Sequence, residues 1–361
     1  MTPSPLIPAK AGSHEFAPGV RPHRAKLDGS APSRGRAALG LATLALALAG
    51  AARAAPAACD RACLVGLADR YADALVAHDP GRLQTAPQVK FTENLVPLQF
   101  GREGLWRTAN GRRDFNIYAA DPARGDVAWI GIVKESDTPV MIAVRLKVVA
   151  GRITEAETVV GRVGLSAAAT VPAPRPDFAR VEPPATRSSR EKLIAIASSN
   201  WDAMEQGDGS LAPYAADCER YDNGRKTTNG PSPGPGAAAA DPATKATGDI
   251  GDLGCFGQMN SGRFHNGNKV DPRRAWAVDQ EHGLVIGLYT PNVPGTARQL
   301  TLRNGQVLKM GPDEMIPFTI VQAEMFKIVA GQISRVEVVL GPRVPYGMRS
   351  PFDMKTMWQK R

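Results

Sequence analysis

The sequence predicts an α+β protein in which one unit is built twice in tandem, and three observations predict it. The segment "LKVVAGRITEAETVV" (Leu146–Val160) returns as "FKIVAGQISRVEVVL" (Phe326–Leu340), 180 residues later. Each is strand, Ala-Gly turn, strand, with apolar residues alternating on both sides of the turn. An amphipathic helix opens each copy, and a Pro-rich stretch, 165–187, separates the copies as a linker. Helix first and antiparallel sheet after lays a helix across a sheet in each copy.

In the first helix Leu64, Leu67, Tyr71 and Leu75 share one face; in the second Leu193, Ala197, Asn200 and Met204 do. Asp79 to Glu93 and Asp208 to Asp222 are equal spans, so this part repeats at an offset of 129. "WIGI" around Gly131 matches "VIGL" around Gly287 at 156. The second copy is then the first plus insertions of about 27 and 24 residues, one in the Gly/Pro/Ala-rich 224–270, the other covering "PGTARQLTLRNGQVLKMGPDE". Insertions collect in loops, which fits this register. The predicted domains are 59–164 and 188–345, with a tail over 346–361. Residues of Val140–Val148 and Thr319–Lys327 that face away from the helices are expected to meet. The chain would thereby be a monomeric pseudo-dimer or assemble into a homo-oligomer. Arg145, Lys147 and the pair Arg273-Arg274 are expected on solvated faces.

Residues 36–54 ("RAALGLATLALALAGAARA") have a basic start, an apolar run and the ending Ala52-Arg53-Ala54, the pattern of a secretory signal. The run is too short and Ala-rich for a membrane span. Residues 1–35 are rich in Pro, Gly and charge without periodicity, and read as disordered or as a mis-started extension. The expected product is soluble and exported, periplasmic or extracellular, with no integral membrane segment. Of the formal charge of +9, residues 1–55 supply seven Lys/Arg against two Asp/Glu. The remainder, about +4, is ordinary for its size and argues against a nucleic-acid partner.

Cys59, Cys63, Cys218 and Cys255 all lie in the exported part, where an even count favours disulfides. Three pairings are open; Cys59–Cys63 with Cys218–Cys255 keeps each bridge within one half. A metal is not expected, because His78, His265 and His282 stand far apart. No phosphate loop, dinucleotide fingerprint or nucleophile–base pair is visible, so no cofactor is expected. "GPSPG" around Ser232 matches the serine-hydrolase elbow only in letters, without the strand and helix that elbow needs.

Three short segments carry a resemblance: "RYADALVAHD" (Arg70–Asp79), "VKFTEN" (Val89–Asn94) and, in the second copy, "ERYDN" (Glu219–Asn223). With the long terminal hairpins, both halves (Cys59–Arg162 and Arg190–Pro345) resemble the SnoaL-like, ketosteroid-isomerase-like and nuclear-transport-factor-like α+β cone. The whole is similar to a family of exported two-domain proteins of unassigned function. The resemblance implies two cone-shaped barrels, with Tyr71 donating a hydrogen bond to a developing enolate and Glu93 moving the proton. It also implies a second donor acid on a late strand near Ala143–Arg145, where no acid stands. In the second copy Asn200 takes the position of Tyr71, and Asp222-Asn223 that of Glu93-Asn94.

The residues alone support similar chemistry. A carboxylate in an apolar pocket exchanges protons near neutral pH, and a phenol there stabilises an oxyanion by a few kcal/mol. Glu93, Tyr71 and Asp222 are therefore the expected catalytic groups. Asn94, Asn223, Asn200, Trp106, Tyr118 and His265 are the expected substrate contacts. A Cys218–Cys255 bridge would hold the insertion with "GRFHNGNK" as a lid over the second pocket. The expected function is cofactor-independent isomerisation, elimination, or ether or carbon–carbon cleavage of an apolar aromatic molecule, phenolic ethers from lignin being one such class. The rival is a non-catalytic binding or scaffold protein.

Overall fold

The computed structural model describes residues 59–162, 175–230 and 250–354. The expected extension and signal, Ser232, part of the linker and the end of the tail lie outside them. The first half runs α1 (Arg61–Val76), β1 (Thr85–Glu93), β2 (Val96–Pro97), α2 (Leu105–Thr108), β3 (Ala109–Asp121), β4 (Asp126–Glu135), β5 (Thr138–Val149) and β6 (Arg152–Gly161). After α3 (Pro176–Ala179), the second half begins with α4 (Arg190–Gln206), β7 (Tyr214–Asp222), β8 (Arg225–Lys226) and α5 (Cys255–Asn260). It continues with β9 (Lys269–Asp279), β10 (Leu284–Val293), a hairpin of β11 (Gln299–Thr301) and β12 (Val307–Lys309), then β13 (Phe318–Val329) and β14 (Gln332–Pro345).

Each half holds a six-stranded sheet, ordered β2-β1-β6-β5-β4-β3 and β8-β7-β14-β13-β10-β9. The architecture is mixed α+β and compatible with two tandem cone-like barrels. The sheets repeat in register as well as order. Lys90 pairs with Glu155 in parallel, as Glu219 does with Arg335. Both terminal hairpins shift register at the same position, after Lys147 and after Lys327, and the second shifts once more between Ile320 and Gln322. One sequence match needs correction. Asp126 pairs with Lys147 and Leu284 with Lys327, so β4 and β10 correspond at 158, not 156. Trp129 thus stands where Gly287 stands, and Gly131 where Tyr289 does. Each aromatic ring lies over the glycine two residues away, where a Cβ would come within 2.1 Å of the Trp129 ring or 2.9 Å of the Tyr289 ring. The shared Ile-Gly letters hid an exchange of large and small residues on one face. The insertions are accordingly about 29 and 22 residues by difference of the offsets.

Local signals set the helices. Asp60 caps α1 by accepting Cys63 N–H at 2.9 Å, and the Cys59–Cys63 disulfide closes the same turn. Ser189 caps α4, and Gly207 ends it in the left-handed conformation. The faces expected to be buried are buried, Tyr71 and Asn200 included. α1 seals one core with Phe91, Trp106, Val144 and Leu146; α4 seals another with Cys218, Tyr289, Phe326 and Val338.

A third core lies between the outer faces of the two sheets and joins Ile130, Met141 and Ala143 to Ile286, Val321, Ala323 and Met325. Polar contacts across it are reciprocal. Arg61, on α1, pairs with Asp279 of the second half at 2.9 Å; Arg190, the corresponding residue of α4, pairs with Asp121 of the first. The solvated faces expected for two arginines are corrected here. Arg145 is buried between Asp126 (3.0 Å) and Glu155 (2.9 Å). Arg274 forks onto the buried Glu157 at 2.8 and 2.6 Å, and Ser350 from the tail completes that site at 2.6 Å.

Candidate functional site

In the first half Glu93 is the last residue of β1, on the face that carries Phe91 and is covered by α1. It is buried, and both carboxylate oxygens are engaged. Leu105 N–H donates to Oε2 at 2.6 Å, and Arg162 Nη2 donates to Oε1 at 3.1 Å. Gly104 permits the approach, because its φ is +64° and a Cβ there would lie 2.3 Å from Oε2. Tyr71 reaches the same pocket from α1. Burial holds its phenol well above the ordinary range; the side chains of Thr158 and Trp106 act the other way, and the charge of Glu93 adds to the rise. Thr158 is the strand partner of Glu93. Thr158 Oγ1 and Trp106 Nε1 are buried and face the Tyr71 hydroxyl, with no other hydrogen-bond partner among the described residues. The walls are aromatic: Tyr71 meets Trp106 edge-on at 5.4 Å, and Phe100 lies 5.0 Å from Trp106 and 5.9 Å from Phe91. His78 Nδ1 bonds the Trp106 carbonyl at 2.6 Å and fixes this wall to the end of α1.

The second half builds the same location from other residues. Arg220 replaces Phe91, and Glu324 on β13 replaces Val144. Glu324 is fully buried; Arg220 Nη1 donates to its Oε1, while Oε2 has no partner among the described residues. Burial pushes the Glu324 carboxyl up, Arg220 opposes and Asp222 adds, leaving it at about 7. Asp222 accepts from Arg220 Nε at 3.0 Å and from Thr227 Oγ1 at 3.1 Å. Asn200 accepts the Tyr214 hydroxyl on Oδ1 at 2.9 Å. Its Nδ2 is buried with no hydrogen-bond partner among the described residues, and Trp201 Nε1 faces the Tyr289 hydroxyl. Tyr214 and Tyr289 both feel the Glu324 charge, and the Trp201 ring lies 4.9 Å from that of Tyr289, so these groups are neighbours in the second-half core. Sequence reasoning missed Glu324. The signal was present: the 180-residue offset from Val144 lands on it, at the late-strand position where the resemblance implies an acid.

Asn94 and Asn223 have backbone roles rather than the expected substrate contacts. Both adopt φ of 48° in the turn after the acid. Asn94 Oδ1 accepts Val160 N–H at 2.9 Å, and Asn223 Oδ1 accepts Leu340 N–H at 2.8 Å. Each also abuts a glycine of the other half. A Cβ on Gly341 would lie 3.1 Å from Asn94 Oδ1, and one on Gly161 would lie 2.5 Å from Asn223 Oδ1. The recurrent acid-Asn pair thus joins a pocket acid to a turn residue that clamps the neighbouring strand.

Tyr118, another expected contact, packs against the core that holds Tyr71 and Trp106. Its hydroxyl donates to Asp69 at 2.5 Å, tying β3 to α1. His265 bonds the Glu205 carbonyl at 2.6 Å and, with Gln206, Gly207, Thr301 and Arg303, lines an open groove of about 360 Å³ at the end of α4. Cys218–Cys255 and Cys59–Cys63 are both formed. The former anchors α5 in the second core, with α5 packed beside β7 and α4.

Residues 186–340 match the model of a domain of unknown function (DUF8021). No curated protein matches the chain. Among solved structures the chain is similar to a protein of unknown function with a cystatin-like fold from Methylobium petroleophilum, at 11% identity over 45% of this chain and 83% of that one, with a TM-score of 0.25. It is also similar to AclR, a putative hydroxylase from Streptomyces galilaeus, at 13% identity over 42% of this chain and 77% of that one, with a TM-score of 0.23.

Proposed function

We propose that the protein is an exported, cofactor-independent enzyme that uses carboxylate acid–base chemistry on a small, apolar aromatic molecule. One observation carries this reading: Tyr71, Trp106 Nε1 and Thr158 Oγ1 meet beside Glu93 in an aromatic box, and the last two face the Tyr71 hydroxyl with no other partner among the described residues. Glu93 would take a proton from carbon, and the three donors would hydrogen-bond the substrate oxygen on which charge accumulates. Isomerisation and β-elimination, including elimination of an ether oxygen, begin this way; retro-aldol carbon–carbon cleavage would begin with Glu93 taking a hydroxyl proton and reach the same oxyanion as the bond breaks. The reciprocal pairs Arg61–Asp279 and Arg190–Asp121 support a pseudo-dimer of two SnoaL-like domains within one chain. The disulfides support an oxidising, exported setting.

A second reading has its own support. Both Glu93 oxygens are engaged by Leu105 and Arg162, as suits a protein that binds an aromatic ligand without turning it over. A screen of aromatic carbonyl compounds and phenolic ethers separates the two. Under the enzyme reading Glu93→Gln binds substrate but loses turnover, while Tyr71→Phe folds and loses about 10- to 1000-fold. Saturable binding with no product from the wild-type protein would establish the binding reading instead.

A further inference from the structure

We propose that the open groove at the end of α4 binds the C-terminal end of an extended peptide, which adds to β11 as a further strand and sets its carboxylate on Arg303. The groove holds about 360 Å³, within the roughly 300–1,000 Å³ of ligand sites, and lies between β11 and the turn at Gly207 that ends α4. β11 has one neighbour in its sheet, β12, so its other edge is open. Which peptide groups face that edge follows from the ladder. Met310 N–H donates to the Arg298 carbonyl at 3.0 Å and Leu302 N–H to the Gln306 carbonyl at 2.8 Å, on either side of the facing pair Leu300 and Leu308. Alternate pairs of an antiparallel ladder exchange hydrogen bonds, so Leu300 bonds Leu308 while the N–H and C=O of Gln299 and Thr301 point away from β12. Among the described residues none bonds these four groups, and both residues line the groove.

The rest of the groove suits a chain end. Gly207, at φ +63°, lets His265 lie against the end of α4, where Nδ1 bonds the Glu205 carbonyl at 2.6 Å. Gly262 faces β11 without a side chain; a Cβ there would lie 3.7 Å from the Thr301 carbonyl oxygen. At the next outward-facing residue the edge is closed, because Arg303 N–H already donates to the Ser261 carbonyl at 3.0 Å. An added strand therefore stops at Arg303. The guanidinium stands at that closed end with only Nε bonded among the described residues, to the Gly207 carbonyl at 3.1 Å. Its ion-pair partner Asp208 lies 3.9 Å from Nη2, and the nearer carboxylate oxygen already accepts from Ser210 N–H and Oγ. The two Nη nitrogens thus offer the fork that takes a carboxylate in paired hydrogen bonds. A strand ending in a carboxylate at Arg303 runs parallel to β11, with alternate residues bonding Gln299 and Thr301. A non-peptide acid would meet Arg303 but leave those four backbone groups unpaired, so the geometry selects a peptide.

The test is fluorescence anisotropy of a fluorescein-labelled pentapeptide of alternating threonine and valine, titrated with the full chain. The free acid should bind saturably with a Kd below about 1 mM, and the C-terminal amide about 10-fold more weakly. N-methylation of one alternate set of peptide nitrogens should weaken binding by a similar factor and of the other set should not, a result that strand addition requires and an ion pair alone does not give. Gln299→Pro removes one donor from the open edge, where proline is tolerated, and should also weaken binding. Arg303→Gln should erase the preference for the acid over the amide. Circular dichroism checks the folding of both variants, and the peptide series needs neither. No saturable binding, equal affinity for acid and amide, or equal effects of the two methylated sets would each overturn the site.

Discussion

The two pockets occupy the same place in the same fold and solve opposite problems. In the first, Phe91 and Val144 keep the floor apolar, and a single acid, Glu93, is held at the rim by a backbone N–H and an arginine. In the second, Arg220 and Glu324 bring an ion pair into the floor, and the acid is left with one free edge. A duplicated fold can thus hold its backbone register constant while two substitutions on one sheet face turn an apolar box into a buried charged one.

The largest test of that contrast is Arg220→Leu against Phe91→Leu. Removing Arg220 strands Glu324 and leaves Asp222 with Thr227 alone, a loss of up to about 5 kcal/mol at pH 8, as for breaking other buried ion pairs. Phe91→Leu exchanges one apolar group for another and should cost about 1.5 kcal/mol. At pH 5, where Glu324 is protonated, the Arg220→Leu penalty should shrink. Urea unfolding at both pH values measures this, and equal losses at the two sites would sink the distinction.

Reduction comes next. Cys218–Cys255 closes a loop of 37 residues and Cys59–Cys63 one of 4. The chain-entropy estimate gives about 4 kcal/mol for the first and about 2 for the second. Single Cys→Ser pairs compared by thermal unfolding should therefore destabilise the chain more when the second-half bridge is removed. The reverse order would mean that the short bridge, by fixing the start of α1, matters more than loop closure.

Stability against pH sharpens the comparison further. Glu157 and Glu337 are repeat counterparts at the interface between the sheets, yet they titrate in opposite directions. Burial raises both. At Glu157, the Arg274 fork, Arg145 and Ser350 overcome it and hold the carboxyl below its ordinary value. At Glu337, Arg175 supplies a single bond at 2.8 Å, Asp222 adds negative charge, and the carboxyl stands at about 7. Glu324 and Glu337, raised from 4.5 to about 7, bind more protons folded than unfolded between those values. Their contribution is therefore full below about 4.5 and is lost as pH rises through 7, on the order of 3 kcal/mol each. Glu157 acts the other way, its contribution being lost as pH falls. Melting curves from pH 5 to 8 should show a decline that Glu324→Gln and Glu337→Gln each flatten. A wild-type curve that rises over this range would contradict the assignment.

How much of this was legible in the sequence depended on the kind of signal. Periodicity found both helices, and the letters of the terminal hairpins found the repeat with its correct offset, because those strands carry the same order of apolar and polar residues in both copies. The β4–β10 match slipped by two residues, because Trp129 over Gly131 and Tyr289 over Gly287 put the glycine at different ends of one aromatic–glycine pair. The motif singles out Tyr71 and Glu93, and the structure places them on one side of one sheet. Glu324 was missed because an acid in an apolar strand has no local signal; only its position in the repeat gives it meaning. Sequence alone does not distinguish an amide facing a pocket from one bonded to a strand, and Asn94 and Asn223 are bonded to strands.

The smallest expected effect is also the most specific. Gly161 ends β6 in the first half, but a Cβ there would meet Asn223 Oδ1 at 2.5 Å and the Leu340 carbonyl at 2.9 Å, both in the second half. Gly161→Ala must therefore move Asn223, whose Oδ1 holds Leu340 N–H and whose own N–H donates to the Val338 carbonyl at 2.8 Å. The cost of such overpacking is about 1–2 kcal/mol. Asn223 directly follows Asp222, so a shift of the turn moves the acid at the second pocket, and the atoms nearest the Cβ all belong to Asn223 and Leu340. Amide exchange should accelerate at Asn223 more than at Asn94, although the mutated strand carries the Thr158 carbonyl that receives the Asn94 N–H at 2.9 Å. Gly341→Ala should do the reverse more mildly, since its nearest contacts are the Val321 carbonyl at 2.9 Å and Asn94 Oδ1 at 3.1 Å. Faster exchange at Asn94 than at Asn223 in Gly161→Ala would show that each acid-bearing turn is held by its own half. The crosswise result would mean that the halves position each other's acids, which gives a physical reason for the two pockets to remain in one chain.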